Sequence, residues 1–502
     1  MNPVGITPVS SASPAFNFDE ILKQQASAVR LDDFLREPHW PLALKYWLKH
    51  HTPEGAVKTS QDILNQLELA ISHIDQLINQ QLNAIIHHPK FQRLESSWRG
   101  LYYLTLQAEG IKLAKIKVLD ASWQEVTKDL SRALEFDQSS LYNKIYAEEY
   151  GTPGGEPYGA LIGDYAISHK QSRAHPYDDI SALDSIAQIA AAAFSPFIAG
   201  VSSALLGMDD FSTLRLPLNL TSLFAQEEYI QWRALRMKNE ARFVGLTLPR
   251  ILMRKPYRTT PGNYRGLYFC EYIRSPEDYL WGNAAYAFGG ILLREFGSVG
   301  WFGHIRGVPR NNIGGGLVTN LPYDSFKTDP HDIITKPATD VVITDNIERD
   351  ISNLGFIPLC QCFATPYFAF YSNQSIQLSK RMATRDAQVN AKLSTMLQHV
   401  LCASRVAHYI KVMVRDKIGS FITAEQCEDF LRRWLHQYTT GRKDMEWEEQ
   451  ARYPIQEARV QVREHPGKPG TYACVIHLVP CYQADQMVSE LELVTELVQG
   501  AA

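Results

Sequence analysis

A glycine-rich run is the sequence's nearest approach to a phosphate-binding loop. It reads Gly151-Thr152-Pro153-Gly154-Gly155-Glu156-Pro157-Tyr158-Gly159. A loop that binds phosphate directs backbone N–H groups at the anion and supplies a Lys where a helix begins. Here two prolines remove N–H donors, no Lys is present, and Glu156 would repel an anion. We therefore predict a structural loop. Gly314-Gly315-Gly316 lacks the strand–helix context of a dinucleotide site, so no ligand is predicted there either.

The cysteines and histidines do not have the spacing of a metal site. Of seven cysteines only Cys360 and Cys362 are close, whereas zinc sites normally need two such pairs or added histidines. His87 and His88 are adjacent, so on a helix they point about 100° apart. We predict no catalytic, cofactor-binding or metal-binding residue, and therefore no enzyme. An enzyme with a nucleotide or sugar site in the region 151–320 is the alternative of a different class.

The composition is that of an ordinary soluble chain of several domains. The 502 residues are 45% hydrophobic and 21% charged, with a formal net charge of −4. Such a small charge gives no argument for nucleic acid as a partner. We find no apolar run of the roughly 18 residues that a membrane span needs, and no basic and apolar leader. The expectation is a cytoplasmic protein that does not insert into a membrane.

The clearest predicted helix covers residues 59–86. Thr59 and Asp62 have the spacing of a capping box. Apolar residues recur every three or four positions and form one stripe: Leu67, Ile71, Ile74, Ile78 and Leu82. The stripe either packs within its own chain or binds a partner.

A second long helical region is predicted at residues 387–418. Its two halves have apolar stripes that are out of phase, which predicts a kink near Ala403-Ser404 or burial on several sides. Its second half carries a basic face, for which a solvated surface is the ordinary explanation. The face consists of Arg405, His408, Lys411 and Arg415.

The chain ends in predicted strands. Residues 455–464 alternate, with Val460 and Val462 on one side, which is typical of a half-buried strand. A Pro/Gly turn follows, then a nearly continuous apolar strand at 472–479, expected to be buried on both faces. A last segment, 488–497, sets Leu491, Leu493 and Leu497 against glutamates. These strands either close within their own domain or offer an edge to another chain.

Seven colinear blocks resemble the large sheath subunit of bacterial type VI secretion systems, the TssC or VipB family. The blocks lie at residues 91–101, 149–165, 249–254, 279–286, 355–359, 404–420 and 458–472. The resemblance implies an α+β multidomain sheath subunit with a helical N-terminal region, a mixed α/β body and a C-terminal inner domain that ends in strands. The expected divisions are 1–58 as flexible N-terminus and linker helices, 59–140, 141–380 and 381–502.

The family also implies the partners. Helices in 59–140 would bind a small sheath subunit (TssB or VipA) through the stripe from Leu67 to Leu82. The basic face at 405–415 would contact a tube of Hcp hexamers, and the terminal strands would pair with neighbouring protomers of the sheath. Growth from a baseplate and recycling by a ClpV-type AAA+ ATPase complete the expectation. A related alternative is the sheath of another contractile injection machine, such as a phage tail or tailocin.

Overall fold

The computed structural model describes most of the chain. The described residues are 35–36, 38–40, 43–44, 59–152, 154–173, 175–216, 218–259, 266–309, 313–327, 333–362, 365, 367–380, 382–416, 424–442, 447–464, 471–480 and 491–498. The predicted segment 1–58 therefore lies largely outside them. Grouped by contacts, residues 1–84 with 258–270 form one compact unit, and residues 85–257 with 271–502 form another.

Helices occur along the whole described chain. They are α1 (Ser60–Ile86), α2 (Pro89–Gln107), α3 (Trp123–Arg132), α4 (Ser140–Tyr142), α5 (Glu148–Gly151), α6 (Asp179–Ala193), α7 (Leu220–Leu223), α8 (Ile230–Arg236), α9 (Ala284–Val299), α10 (Asp345–Asn353), α11 (Arg385–Ser394), α12 (Leu397–Asp416), α13 (Ala424–His436) and α14 (Trp447–Arg452). A π-helical turn, Asn143–Ala147, joins α4 to α5.

The strands form a mixed sheet in the body and an antiparallel sheet at the C-terminus. They are β1 (Leu161–Ile167), β2 (Phe197–Val201), β3 (Val244–Leu248), β4 (Ile251–Leu252), β5 (Trp281–Gly282), β6 (Leu317–Val318), β7 (Asp324–Lys327), β8 (Ile333–Lys336), β9 (Ile357–Gln361), β10 (Phe368–Phe370), β11 (Ile455–Glu464), β12 (Thr471–Pro480) and β13 (Leu491–Val498). The body sheet has the order β1-β2-β3-β9-β10-β6, the C-terminal sheet the order β11-β12-β13, and β4-β5 and β7-β8 are separate pairs.

The four strands at one end of the body sheet are parallel, and β10 runs antiparallel to both its neighbours. Strands β2 and β3 are buried throughout, as expected for parallel strands covered on both faces. Helix α6 packs its apolar residues into the same core, where Leu183, Ile189 and Ala190 are fully buried. The α+β class predicted from the sequence is confirmed.

Helix α1 begins where its cap predicts. The Thr59 N–H donates to Asp62 Oδ2 (2.9 Å), and the Asp62 N–H donates to Thr59 Oγ1 (3.2 Å). This reciprocal pair satisfies two N–H groups that the first helical turn leaves without partners, so the predicted capping box is confirmed.

The predicted kink near residue 403 is wrong. The break comes earlier, between Ser394 and Leu397, where α11 ends and α12 begins. Helix α12 then continues through Ala403 and Ser404, which are both buried. Its apolar residues lie on several sides, because each of three apolar clusters formed by the described residues includes residues of α12. The out-of-phase stripes therefore reflect burial on several sides, which was the other expectation.

Candidate assembly surfaces

Helix α1 uses its polar face, not its apolar face, to contact its own compact unit. Asn79 Nδ2 donates to the carbonyl of Tyr268 (2.6 Å), and Asn83 Nδ2 donates to the carbonyl of Cys270 (3.1 Å). The Cys270 N–H donates back to Asn79 Oδ1 (2.8 Å). These two asparagines are the buried residues of the helix, so an amide ladder binds the backbone of residues 268–270.

The predicted apolar stripe of α1 faces away from these contacts. Ile71 and Ile74 are each 53% exposed, Ile78 is also exposed, and Leu67 and Leu82 are half-buried. Consecutive helical residues are separated by about 100°, so Ile78 and Asn79 necessarily lie on different faces. An amphipathic helix normally buries its apolar face against the core. Helix α1 reverses this arrangement, since its apolar stripe is largely exposed and its asparagines are buried.

A second exposed stripe lies on α2, and the sequence reasoning did not identify it. Large apolar side chains recur mainly every four residues and are all exposed: Phe91, Leu94, Trp98, Tyr102 and Leu106. The most exposed of these side chains is Trp98, at 65%. Residues four apart lie one above another on a helix, so the stripe is a continuous ridge. Exposed apolar patches of this kind mark interaction sites.

Small residues explain which face of α2 is turned inward. Ser96 and Gly100 are buried, and a Cβ added at Gly100 would lie 2.3 Å from Tyr286 Cε2. Glu95, about 100° around the helix from Ser96, accepts from Arg254 Nε (2.8 Å) and anchors the helix from an adjacent side. Leu104 is buried with these small residues, while the apolar residues of the exposed stripe lie on the other side of α2. The i, i+4 pair of Ser96 and Gly100 is the sequence signal that predicts this orientation.

The four basic residues of α12 do not form an exposed face. His408 is only 1% exposed, and Arg405, Lys411 and Arg415 are half-buried. The Arg405 guanidinium lies over the rings of Phe296 (5.2 Å) and Tyr409 (4.5 Å). The ring of His408 is enclosed within the chain, so His408 neither lies on a solvated surface nor is accessible to a tube. Contact of the neighbouring basic residues with a tube remains a prediction.

His408 and Lys411 contact the carboxyl end of α6. His408 Nε2 lies 3.0 Å from the carbonyl oxygen of Ala193, the last residue of that helix. Burial, with Arg405 and Lys411 nearby, lowers the pKa of His408 to about 3, so the neutral ring donates this hydrogen bond. The Lys411 ammonium lies 4.9 Å from the ring centres of Tyr150 and Phe194. Burial lowers the pKa of Lys411 to about 8, which leaves it mostly protonated near neutral pH.

Arg415 contacts the glycine-rich loop that resembles a phosphate site. Its guanidinium lies 3.4 Å from the carbonyl oxygens of Glu149, Thr152 and Gly155. The loop therefore presents oxygen acceptors where an anion site requires N–H donors. It is also tightly closed, because a Cβ at Gly155 would lie 2.3 Å from the Glu149 carbonyl oxygen. The loop does not present the donors of a phosphate cradle, in agreement with its prediction as structural.

Strands β11 and β12 lie where the sequence places them, and the alternation of β11 is confirmed. Strand β13 covers 491–498, and residues 488–490 of its predicted range lie outside the described residues. Val460 and Val462 are buried, while the residues between and beside them are exposed. The prediction that β12 is buried on both faces is wrong: Cys474, Ile476 and Leu478 are buried, but Val475 and His477 are half-exposed. Buried residues of β11 and β12 pack on α12 and α13, whereas Arg459 and Gln461 on the other face of β11 are exposed.

Strand β13 pairs with β12 in antiparallel register within this chain. Leu491, Leu493 and Leu497 pair with Leu478, Ile476 and Tyr472. In the described part of the chain, the outer edge of β13 has no strand beside it, and β11 has only an isolated bridge from Ile455 to Thr439. The side chains of Val460 and Val462 face their own core, so pairing with another protomer would use backbone groups of an edge.

Within the described ranges no three His, Cys, Asp or Glu residues are grouped so that they could hold a metal ion. Across the same ranges, no helix is both long and apolar enough to traverse a bilayer.

Comparisons with known proteins agree with one another. Residues 68–377 match the family model of the VipB (EvpB/VC_A0108) tail sheath N-terminal domain. Residues 386–497 match the model of the VipB tail sheath gpW/gp25-like domain. A type VI secretion system sheath protein, TssC1 from Pseudomonas aeruginosa, is 36% identical over 455 residues, which are 90% of this chain and 89% of that protein.

A solved structure was also found, the sheath tail protein of Desulfitobacterium hafniense. The two sequences are 9% identical, and the aligned part covers 63% of this chain and 60% of that protein. The TM-score is 0.28, which is too low to bear on the fold. The family models cover most of the chain and the TssC1 relative nearly all of it. The chain therefore belongs to the TssC/VipB family of tail sheath proteins and is a structural sheath subunit.

Proposed function

We propose that this chain is the large subunit of a type VI secretion contractile sheath. It assembles in the bacterial cytoplasm with a small sheath subunit and with copies of itself, around an Hcp-like tube and outward from a baseplate. Contraction of the sheath propels the tube, and a ClpV-type AAA+ ATPase recycles the subunits. The role is structural and not catalytic. The type VI relative that matches nearly the whole chain supports this system over a phage-tail sheath.

The reversed amphipathicity of α1 carries the proposal that a small subunit binds this chain. Ile71, Ile74 and Ile78 of its stripe are exposed while Asn79 and Asn83 are buried. Leaving such a stripe in water forfeits about 25 cal/mol for each Å² that a partner would cover. A partner helix with its own apolar stripe fits this geometry, because helices bind through residues spaced three and four apart.

The stripe on α2 supplies a second docking face for the same partner. A second copy could cover it through a two-fold contact, in which each copy presents the same ridge, or head to tail, through a different surface of that copy. Subunits that stack in one direction along a sheath are related head to tail, so a two-fold contact between copies does not extend the filament. We assign the ridge to a different chain, the small sheath subunit, because that is the partner that the family supplies.

The open edges of the C-terminal sheet support self-assembly. Backbone N–H and C=O groups along β11 and β13 can extend the sheet with strands of neighbouring protomers. Such main-chain pairing depends little on side chains. It therefore keeps protomers connected while their bodies rotate from an extended lattice into a wider and shorter one.

Co-expression with the neighbouring small sheath gene tests the proposal. Wild-type chain should co-purify with the small subunit and form tubules that electron microscopy resolves. Ile74→Asp should abolish co-purification, because it places a charge in the centre of the apolar stripe. Gln76→Asp, an exposed position on the opposite side of α1, is the matched control and should leave binding unchanged. A chain that stays monodisperse alone, binds no small subunit and forms no tubules would overturn the proposal.

A further inference from the structure

An extended segment that follows α2 has no strand beside it. Residues 114–122 continue without helix, strand, turn or bend, and they include neither Gly nor Pro. Ala114 and Ile116 are half-buried, whereas Lys115 and Lys117 are exposed. Such alternation is typical of a strand with one face on a core. The segment therefore has the character of a strand, yet it belongs to no sheet of the described residues.

The inner face of this segment is fixed to its own chain. Ile116 packs against the apolar cluster that contains Leu104 of α2 and much of α9. At the far end, the Tyr165 hydroxyl donates to the carbonyl oxygen of Ala121 (2.7 Å). Packing along one face and a hydrogen bond at the end hold the segment in its extended form, so a partner strand would not have to order it.

The outer face of the segment is engaged as well. Lys115 Nζ lies 2.6 Å from Glu156 Oε1, and Lys117 forms an ion pair with Glu149. The Lys117 ammonium also lies 5.1 Å from the ring centre of Tyr158. Both lysines therefore have partners within the chain, and the side chains of the alternating stretch do not themselves require another protein.

The backbone of the segment has no such partners. In the described part of the chain, the N–H groups of residues 115–121 donate no hydrogen bond, and of their carbonyl oxygens that of Ala121 alone accepts one. Backbone polar groups of ordered segments are nearly always paired. In an extended strand they point to the two edges, alternating from one residue to the next. What the fold leaves open here is thus a preformed backbone edge.

Exposed apolar side chains lie beside this edge. Val118 and Leu119 are 66% and 52% exposed, and Leu113, just before the segment, is 80% exposed. The exposed ridge of α2 ends at Leu106, and only turns separate α2 from the segment. The ridge and the edge are therefore consecutive parts of one surface in the chain.

We propose that residues 114–121 are a docking edge to which the small sheath subunit adds a β-strand. The proposal rests on the sheath function proposed above and specifies how that partner binds. In strand addition, main-chain hydrogen bonds supply affinity and alternate side chains supply specificity. Antiparallel pairing of two copies centred on Lys115 or Ile116 would set lysines directly opposite lysines, which is unfavourable. Continuity with the α2 ridge favours the chain that docks there.

Hydrogen exchange resolved to single amides in the co-expressed pair tests for the added strand. Alternate amides among residues 115–121, those on one edge, should exchange at least a hundredfold more slowly than in a free peptide of the same sequence. The control is Leu134, which is 92% exposed and whose N–H donates no hydrogen bond to the described residues, so it should exchange at the peptide rate. Peptide-like rates throughout 115–121 would overturn the proposal. Protection that appears only after assembly into tubules would assign the edge to another copy and overturn it equally.

Proline substitutions test the pairing independently, because Pro has no N–H and removes a ladder hydrogen bond. Positions 117 and 118 are both exposed, but their N–H groups point to opposite edges. One of Lys117→Pro and Val118→Pro should therefore weaken Kd for the small subunit at least tenfold more than the other. Lys117→Ala and Val118→Ala are the matched controls, since they remove the side chains and keep the N–H groups. Equal effects of the two prolines would contradict backbone pairing.

The two experiments separate this proposal from the proposed function. If the wild-type chain does not co-purify with the small subunit, the proposed function itself fails. If the pair forms but the amides of 115–121 exchange like those of a peptide, the docking edge alone is refuted. The exchange measurement uses the wild-type chain, so it decides the question even where a proline variant fails to fold.

Discussion

Replacing Trp98 by Ala measures how much of the partner's binding energy the α2 ridge supplies. A tryptophan side chain buries up to about 250 Å², so its 65% exposed fraction corresponds to roughly 160 Å² available to a partner. At about 25 cal/mol per Å² this area is worth about 4 kcal/mol. Imperfect burial and the residual methyl group reduce the loss to about 2–4 kcal/mol, within the range of tryptophan hot spots.

The assay is dissociation of the co-expressed pair on dilution, followed by native mass spectrometry. A loss of 2–4 kcal/mol weakens Kd roughly 30-fold to several hundred-fold. Unfolding of the chain itself should change little, because most of the ring is exposed. Leu134→Ala is the control, since Leu134 is 92% exposed and lies outside the ridge. An unchanged Kd for Trp98→Ala, with the pair intact, would refute the reasoning that α2 docks the small subunit.

Two further predictions concern a buried carboxyl and the C-terminal edge. Glu295 is 2% exposed and burial raises its pKa from 4.5 to about 7, so the folded state binds more protons and loses stability as pH rises from about 4.5 to 7. Glu295→Gln removes this loss. Between pH 5 and pH 8, the unfolding free energy of the variant minus that of the wild type should rise by about 2 kcal/mol in denaturant titrations. If this difference were the same at both pH values, it would contradict the raised pKa. Deleting residues 488–502 should leave the soluble pair with the small subunit intact but abolish tubules in electron micrographs; tubules of normal length would rule out a need for β13.

Local sequence patterns predicted several elements well because their determinants are local. The capping box at Thr59 lies within four residues, and the alternation of β11 within ten. Each depends on backbone geometry that neighbouring residues set by themselves. The family resemblance and the α+β class also followed from residues in sequence.

The surfaces required the tertiary structure. The sequence showed that α1 is amphipathic, but an apolar stripe by itself predicts burial. Only the hydrogen bonds from Asn79 and Asn83 to residues 268–270, nearly 190 positions away, show that the polar side is the one bound to the chain. Likewise, the ridge on α2 is exposed because Tyr286 occupies the space beside Gly100.

The basic residues of α12 show the same division most clearly. Their spacing established that Arg405, His408, Lys411 and Arg415 share one face, since 3.6 residues per turn is a property of any helix. What that face meets was decided by the fold, which brings the carboxyl end of α6 and the carbonyls of Glu149 and Gly155 to it from more than 200 residues earlier in the chain. A periodicity fixes directions around a helix axis, whereas the neighbour in each direction depends on contacts between distant segments.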